Sequence, residues 1–233
     1  MKPSRPILLG VLLLAVSLLA GCATPMVTKA EKFPLMYTER PHTILVLPPL
    51  NSTTAADAKE YYSTTIAEPL AFAGFYVFPM QLTGEIMKSQ GLYDTELLVD
   101  QPLDRFSEYF GADAVLFTRI KKWDKSYMVL ASNLTVTIDA QLKSTKTNKV
   151  LWEYTGTIVA DLSGSSSSGN PLLDLAVKAI VTGINTAAAD YVPYAKLANV
   201  QMLQGIPFGK YHARTGQDGA DKVADLSVGK SYK

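Results

Sequence analysis

Apolar positions along the chain fall into two kinds of pattern, continuous runs and alternations. Ile7 to Leu19 is a run of thirteen mostly apolar residues, and Thr43-Ile44-Leu45-Val46-Leu47 is a shorter one closed by Pro48-Pro49. The shorter run predicts a strand buried on both faces, with helices above and below it. Apolar and aromatic residues then recur at helical spacing from Ala55 to Ala73 before Gly74, although Pro69 should kink or shorten the last turn. Phe75-Tyr76-Val77-Phe78 predicts a second strand, about Gln81 to Ser89 a second helix, and Pro102 to Phe110 a third that stops at Gly111. Strand, helix, strand, helix is an α/β beginning.

After a short apolar strand at Asp113–Lys121 the period changes to two. From Tyr127 to Leu142, Leu134, Val136, Ile138, Ala140 and Leu142 fall on one side, with Thr135, Thr137, Asp139 and Gln141 on the other. Thr147-Asn148 predicts a turn and Val150 to about Asp161 a return strand, so the fold class expected is α/β, a mixed sheet carrying helices and a long antiparallel hairpin. Gly164 to Gly169 reads as a flexible loop. Asn170-Pro171 then opens a helix whose Leu172, Leu175, Ala179, Ile180 and Ile184 are more apolar than a surface helix requires. That surface is expected either to pack on the sheet or to form an interface.

The longer run has a different meaning. Lys2 and Arg5 precede it, Leu19-Ala20-Gly21-Cys22 ends it, and thirteen residues of helix span only about 20 Å, short of the roughly 30 Å hydrocarbon core. That order is an export signal. The small residues before the cysteine resemble the lipobox cleaved by lipoprotein signal peptidase, which predicts cleavage between Gly21 and Cys22 and acylation of Cys22. Two or more acyl chains anchor a protein stably where one binds reversibly. Ala23 stands where Asp would signal inner-membrane retention, so the expected site is the outer membrane, facing the periplasm, with display on the cell surface left open. The expected layout is a cleaved signal peptide (1–21), a lipidated tether (22–41), a single globular α/β domain (42–212) and a polar, disordered tail (213–233).

Loss of Lys2 and Arg5 reduces the 22 basic residues to 20, against 21 acidic ones. A neutral chain whose densest basic group is Lys121, Lys122 and Lys125 gives no footprint for nucleic acid. Cys22 is the only cysteine, which leaves no disulfide, thiol nucleophile or cysteine metal site. His42 and His212 are the only histidines, and neither a nucleophile elbow nor a zinc-protease helix occurs. Asp94, Glu96, Asp100 and Asp104 offer oxygen ligands to a divalent cation, but their spacing fits no compact calcium loop and loop solvation is the simpler reading. No enzyme and no cofactor are expected from this inventory.

Ile44-Leu45-Val46-Leu47-Pro48-Pro49-Leu50-Asn51, Glu68-Pro69-Leu70-Ala71 leading to Gly74-Phe75-Tyr76-Val77-Phe78-Pro79, and Phe110-Gly111-Ala112-Asp113-Ala114 resemble a family of Gram-negative outer-membrane lipoproteins that includes a neisserial vaccine-candidate antigen. Thr147-Asn148-Lys149-Val150-Leu151-Trp152 and Gly209-Lys210-Tyr211-His212 fit as well, so the likeness covers about residues 41–212. The resemblance implies a fold similar to the amino-terminal domain of TolB and to CsgG-like secretion lipoproteins. It also implies a homodimer and an envelope protein partner of CsgG-like kind, and it brings no catalytic residues. The function expected is a non-enzymatic scaffold or accessory subunit of an envelope secretion, assembly or transport system. One alternative is a periplasmic regulator of peptidoglycan synthesis, for which the nineteen residues from Ala23 to Pro41 extend at most about 65 Å. A second alternative is a small-ligand binder or hydrolase.

Overall fold

The computed structural model describes residues 25–92, 94–128, 131–161 and 192–225. Its centre is a mixed sheet in the order β4-β2-β5-β6-β7, formed by β2 (Thr43–Val46), β4 (Tyr76–Val77), β5 (Ala114–Met128), β6 (Ala131–Ser144) and β7 (Val150–Asp161). β2 runs parallel to β4 and β5, whereas β5, β6 and β7 form an antiparallel meander. A two-residue strand, β3 (Leu50–Asn51), adds to β5 beyond Pro48-Pro49, which lack the N–H groups to continue β2.

Alternate side chains of β2 divide between two cores, as a strand buried on both faces must. Ile44 and Val46 face α3 (Ala58–Thr65), α4 (Ala67–Phe72) and α7 (Val192–Leu203), while Leu45 and Leu47 face α5 (Met80–Ser89), the 3-10 turn Thr95–Leu98 and α6 (Asp104–Phe110). On β6, Val136, Ile138, Ala140 and Leu142 enter the first core and the polar residues between them lie half-buried on the other face. The hairpin alternation is therefore as expected, except that Tyr127 and Met128 belong to β5, so the bend falls inside the alternating stretch.

Several boundaries differ from the sequence reading. The helix expected from Ala55 to Ala73 is two, separated at Ile66, with Pro69 in the first turn of α4 where its missing N–H breaks no helical bond. The third helix begins at Asp104 rather than Pro102, because Leu103 is buried and its N–H is held by Asn148 Oδ1 at 2.8 Å. α7 was not expected at all. It packs on α3, where the buried Asn199 amide donates to Tyr62 O (3.0 Å) and Thr65 Oγ1 (2.9 Å), and the Tyr62 hydroxyl donates to Met202 Sδ at 3.1 Å. Burial pushes the pKa of that hydroxyl well up.

Both expected flexible ends fold in part. The tether expected over 22–41 carries β1 (Met26–Thr28), α1 (Lys29–Lys32) and α2 (Pro34–Glu39), and β1 pairs antiparallel with β8 (Lys222–Ala224) from the expected tail. Between α7 and β8, Gly209 N–H donates to Ala73 O at 2.8 Å and Tyr211 N–H to Gly74 O at 2.9 Å. A Cβ on Gly209 would fall within 3.0 Å of the Gly74 backbone, so only glycine permits this approach.

Asp113 ties the first two central strands together. Its Oδ2 accepts from the N–H groups of His42 (2.9 Å) and Thr43 (3.2 Å) and from the Thr43 hydroxyl, and Lys146 Nζ lies 3.5 Å from Oδ1. Burial alone would raise this carboxyl, but these donors outweigh it and hold the pKa below its ordinary value. A depressed folded pKa gives stability that is present above the unfolded-state pKa and is lost as pH falls through the folded one. Asp113→Asn is therefore expected to cost about 1 kcal/mol near pH 7, at the low end for a charged acceptor because the site is partly wet, and less below about pH 4. Urea denaturation at both pH values checks this; an equal cost at each would contradict it.

Candidate functional site

The side chains of α5, the 3-10 turn and α6 divide sharply between inward and outward. On α5, Thr83 and Met87 turn inward one helical turn apart, which leaves Leu82 and Ile86 outside. In the turn, the Thr95 hydroxyl donates to Pro48 O at 2.9 Å and Leu98 is buried, so Glu96 and Leu97 point out. Lys143 Nζ, reaching from β6 to Val99 O at 2.8 Å, fixes the chain that follows. On α6, Phe106 points in and Tyr109 out, and the helix stops where Gly111 takes φ 68°.

These three elements enclose an open cleft of about 930 Å³. Met87, Leu98 and Phe106 form its floor, and its lips are Ile86, Leu97 and Tyr109, which are 39%, 65% and 72% exposed. Large apolar side chains this exposed, grouped around one cleft, make it a candidate contact surface. The charged residues that line the cleft are Asp104 and Arg105; elsewhere in residues 80–110, Glu85, Asp94, Glu96, Asp100 and Glu108 face solvent against Lys88.

Of the four carboxylates considered as cation ligands, Asp104 lines the cleft, whereas Asp94, Glu96 and Asp100 are exposed outside its lining. No group of three or more His, Cys, Asp or Glu able to hold a metal occurs among the described residues. His42 and His212 do reach one corner of the molecule. His42 lines a cavity of about 220 Å³ with Tyr37, Arg40 and Phe208, and His212 stacks on Phe208 with ring centroids 3.6 Å apart. The residues lining that cavity include no carboxylate or cysteine. Gly21, Cys22 and the helix residues Leu172, Leu175, Ala179, Ile180 and Ile184 lie outside the described residues.

A second feature, missed in the sequence, joins the two ends of the chain. Lys29 Nζ, 5% exposed, lies 3.1 Å from Oδ2 of the fully buried Asp218, donates to Ile206 O at 3.0 Å and sits 4.4 Å from the Phe208 ring centroid. Phe208 N–H also donates to Asp218 Oδ2 at 2.9 Å. The Tyr37 hydroxyl lies beside Asp218 in a geometry too poor for a full hydrogen bond, and its pKa is driven up by burial and by the Asp218 and Asp221 charges. The Thr28 capping box starts α1: Glu31 N–H donates to Thr28 Oγ1 at 3.2 Å and Thr28 N–H to Glu31 Oε2 at 2.9 Å.

The family model "Putative lipoprotein GNA1162-like" matches residues 33–209. The chain belongs to the GNA1162-like lipoprotein family. A curated relative, "Putative lipoprotein NMB1124/NMB1162" of Neisseria meningitidis serogroup B, is 33% identical over 190 residues, which cover 80% of this chain and 84% of the relative. The crystal structure of lipoprotein GNA1162 from Neisseria meningitidis, also 33% identical, covers 62% of this chain and 98% of its own with a TM-score of 0.49. A PelC dodecamer from Paraburkholderia phytofirmans is 16% identical, covering 81% of this chain and 96% of its own with a TM-score of 0.38. The cleft and the residues that position it, Pro48, Asn148 and Lys143, lie within the part of the chain that matches the GNA1162-like family. Lys29 and Asp218 lie outside it.

Proposed function

We propose that this GNA1162-like protein is a lipid-anchored outer-membrane lipoprotein, facing the periplasm, that acts without catalysis as a scaffold or accessory subunit of an envelope secretion, assembly or transport system. Cys22, freed by cleavage after Gly21, carries the acyl chains, and a protein partner occupies the cleft between α5 and α6. The observation that carries the reading is the apolar cleft: an apolar segment of a partner protein would fill it, with Asp104 and Arg105 on its lining left for polar contacts. Burial of Leu97 and Tyr109 against such a partner would contribute about 2 kcal/mol each. A CsgG-like envelope protein remains the partner class the sequence suggested.

Photocrosslinking residues placed at Leu97 and Tyr109 in cells are expected to capture a component of an envelope secretion or assembly complex, and Leu97→Asp should abolish capture from Tyr109 while thermal unfolding stays within about 1 kcal/mol of wild type. Capture of a peptidoglycan synthase would favour the regulatory alternative. Absence of any cleft-dependent capture would remove the scaffold reading.

A further inference from the structure

The described chain begins at Pro25, and from there the backbone is already committed to the folded body. Pro25 O accepts from Asp225 N–H at 2.8 Å, Met26 and Val27 pair with Ala224 and Val223, and Lys29 N–H donates to Asp221 O at 2.9 Å. The capping box and the buried Lys29–Asp218 pair follow within four residues. Only three peptide steps separate Cys22 from Pro25, and at 3.3–3.6 Å each they reach about 10 Å in any conformation.

This inference rests on acylation of Cys22. The acyl chains end at the boundary of the hydrocarbon core, and the headgroup layer beyond it is roughly 5–8 Å thick, so a 10 Å leash is used up in crossing it. We infer that the β1–β8 clasp is a membrane-seating surface, holding the body against the headgroups of the bilayer that contains its own lipid. The surface at the chain's exit suits that place. Pro25 is exposed, Met26 is 54% exposed, and Lys222 faces solvent on the paired strand, while Lys32 Nζ donates to Ala224 O. An apolar thioether flanked by lysines matches the headgroup boundary, where apolar stems insert and amines stay wet. Glu31, whose carboxyl is lowered by the Thr28 hydrogen bonds and also faces Lys222, offsets part of the positive charge, so the leash rather than charge attraction sets the seat.

The clasp packs on the same side of the sheet as α3 and α7, and the cleft lies on the opposite side. The seat therefore turns the cleft away from the membrane. A partner must meet the cleft about one domain's thickness from the bilayer, because no long leash carries it further.

The test uses the full-length lipidated protein, with Met26→Cys, Lys222→Cys or, on α5, Lys88→Cys carrying a fluorophore, in phosphatidylethanolamine–phosphatidylglycerol vesicles containing a headgroup quencher. Quenching at positions 26 and 222 is expected to exceed that at 88 at least threefold, and ten Gly/Ser residues inserted between Thr24 and Pro25 should erase the difference. Protein that floats with the vesicles but shows equal quenching at all three sites overturns the seating and leaves the anchor intact. Protein that fails to float overturns the anchor, and the seating with it.

Discussion

Asp218→Ala is expected to destabilise the domain by about 3–5 kcal/mol, because it strands the Lys29 ammonium in a site that is 5% exposed. Asp218 carries no exposed surface, accepts from the Phe208 N–H as well as from Lys29, and so joins α1, the chain after α7 and the approach to β8 at one atom. Lys29→Met should cost a similar amount, since it leaves the carboxylate without its cation. The double variant Lys29→Met/Asp218→Leu should recover most of the loss, because replacing both charges with apolar groups removes the desolvation cost along with the attraction. Chemical denaturation of the four proteins gives the cycle. Single variants within 1 kcal/mol of wild type would show that the pair does not hold the ends together.

That pair also shows where sequence reasoning reached and where it stopped. Ile44 to Leu47 was legible because a strand buried on both faces must be apolar at every position, and β6 because one buried face imposes a period of two. Asn51 shapes the turn after β3 by local chemistry, its Oδ1 accepting from Thr53 N–H at 3.0 Å. α7 was not legible, because Ala195, Leu197, Ala198, Met202 and Leu203 are all buried and leave no polar stripe of helical period. The clasp was hidden for another reason. Three-residue strands are too short to alternate, lysine reads as a surface residue, and Asp218 lies 189 positions away from it. Only Thr28-Lys29-Ala30-Glu31 announced structure locally, as the spacing of a capping box.

The cleft was half legible. Asp94, Glu96, Asp100 and Asp104 stood out in the sequence as a group, but carboxylates that cluster along a chain are not thereby aimed at one point, and only Asp104 lines the cleft. The cleft itself exists because Thr95 and Leu98 turn inward in a 3-10 turn, a choice set by a hydrogen bond to Pro48 just after the central strand β2. Leu97, which no sequence pattern singled out, is 65% exposed. A large apolar residue this exposed on the lip of an apolar cleft is the clearest single pointer to a partner.

Cys22→Ser is expected to have the largest effect of all, because the anchor and the seating both depend on one sulfur. Each buried CH₂ contributes about 0.8 kcal/mol, so two or three acyl chains hold the protein on the membrane effectively permanently, and without them a neutral body with no polybasic face has almost nothing to bind a bilayer with. The body itself should be untouched, since Cys22 precedes β1 and the ends are joined by the β1–β8 pairing and the Lys29–Asp218 pair. The deciding measurement is labelled-palmitate incorporation with membrane fractionation of wild type and Cys22→Ser side by side. The account predicts label and outer-membrane sedimentation in the wild type, and an unlabelled, folded, released protein in the variant. An unlabelled wild type, or a variant that still sediments with the outer membrane, would contradict it.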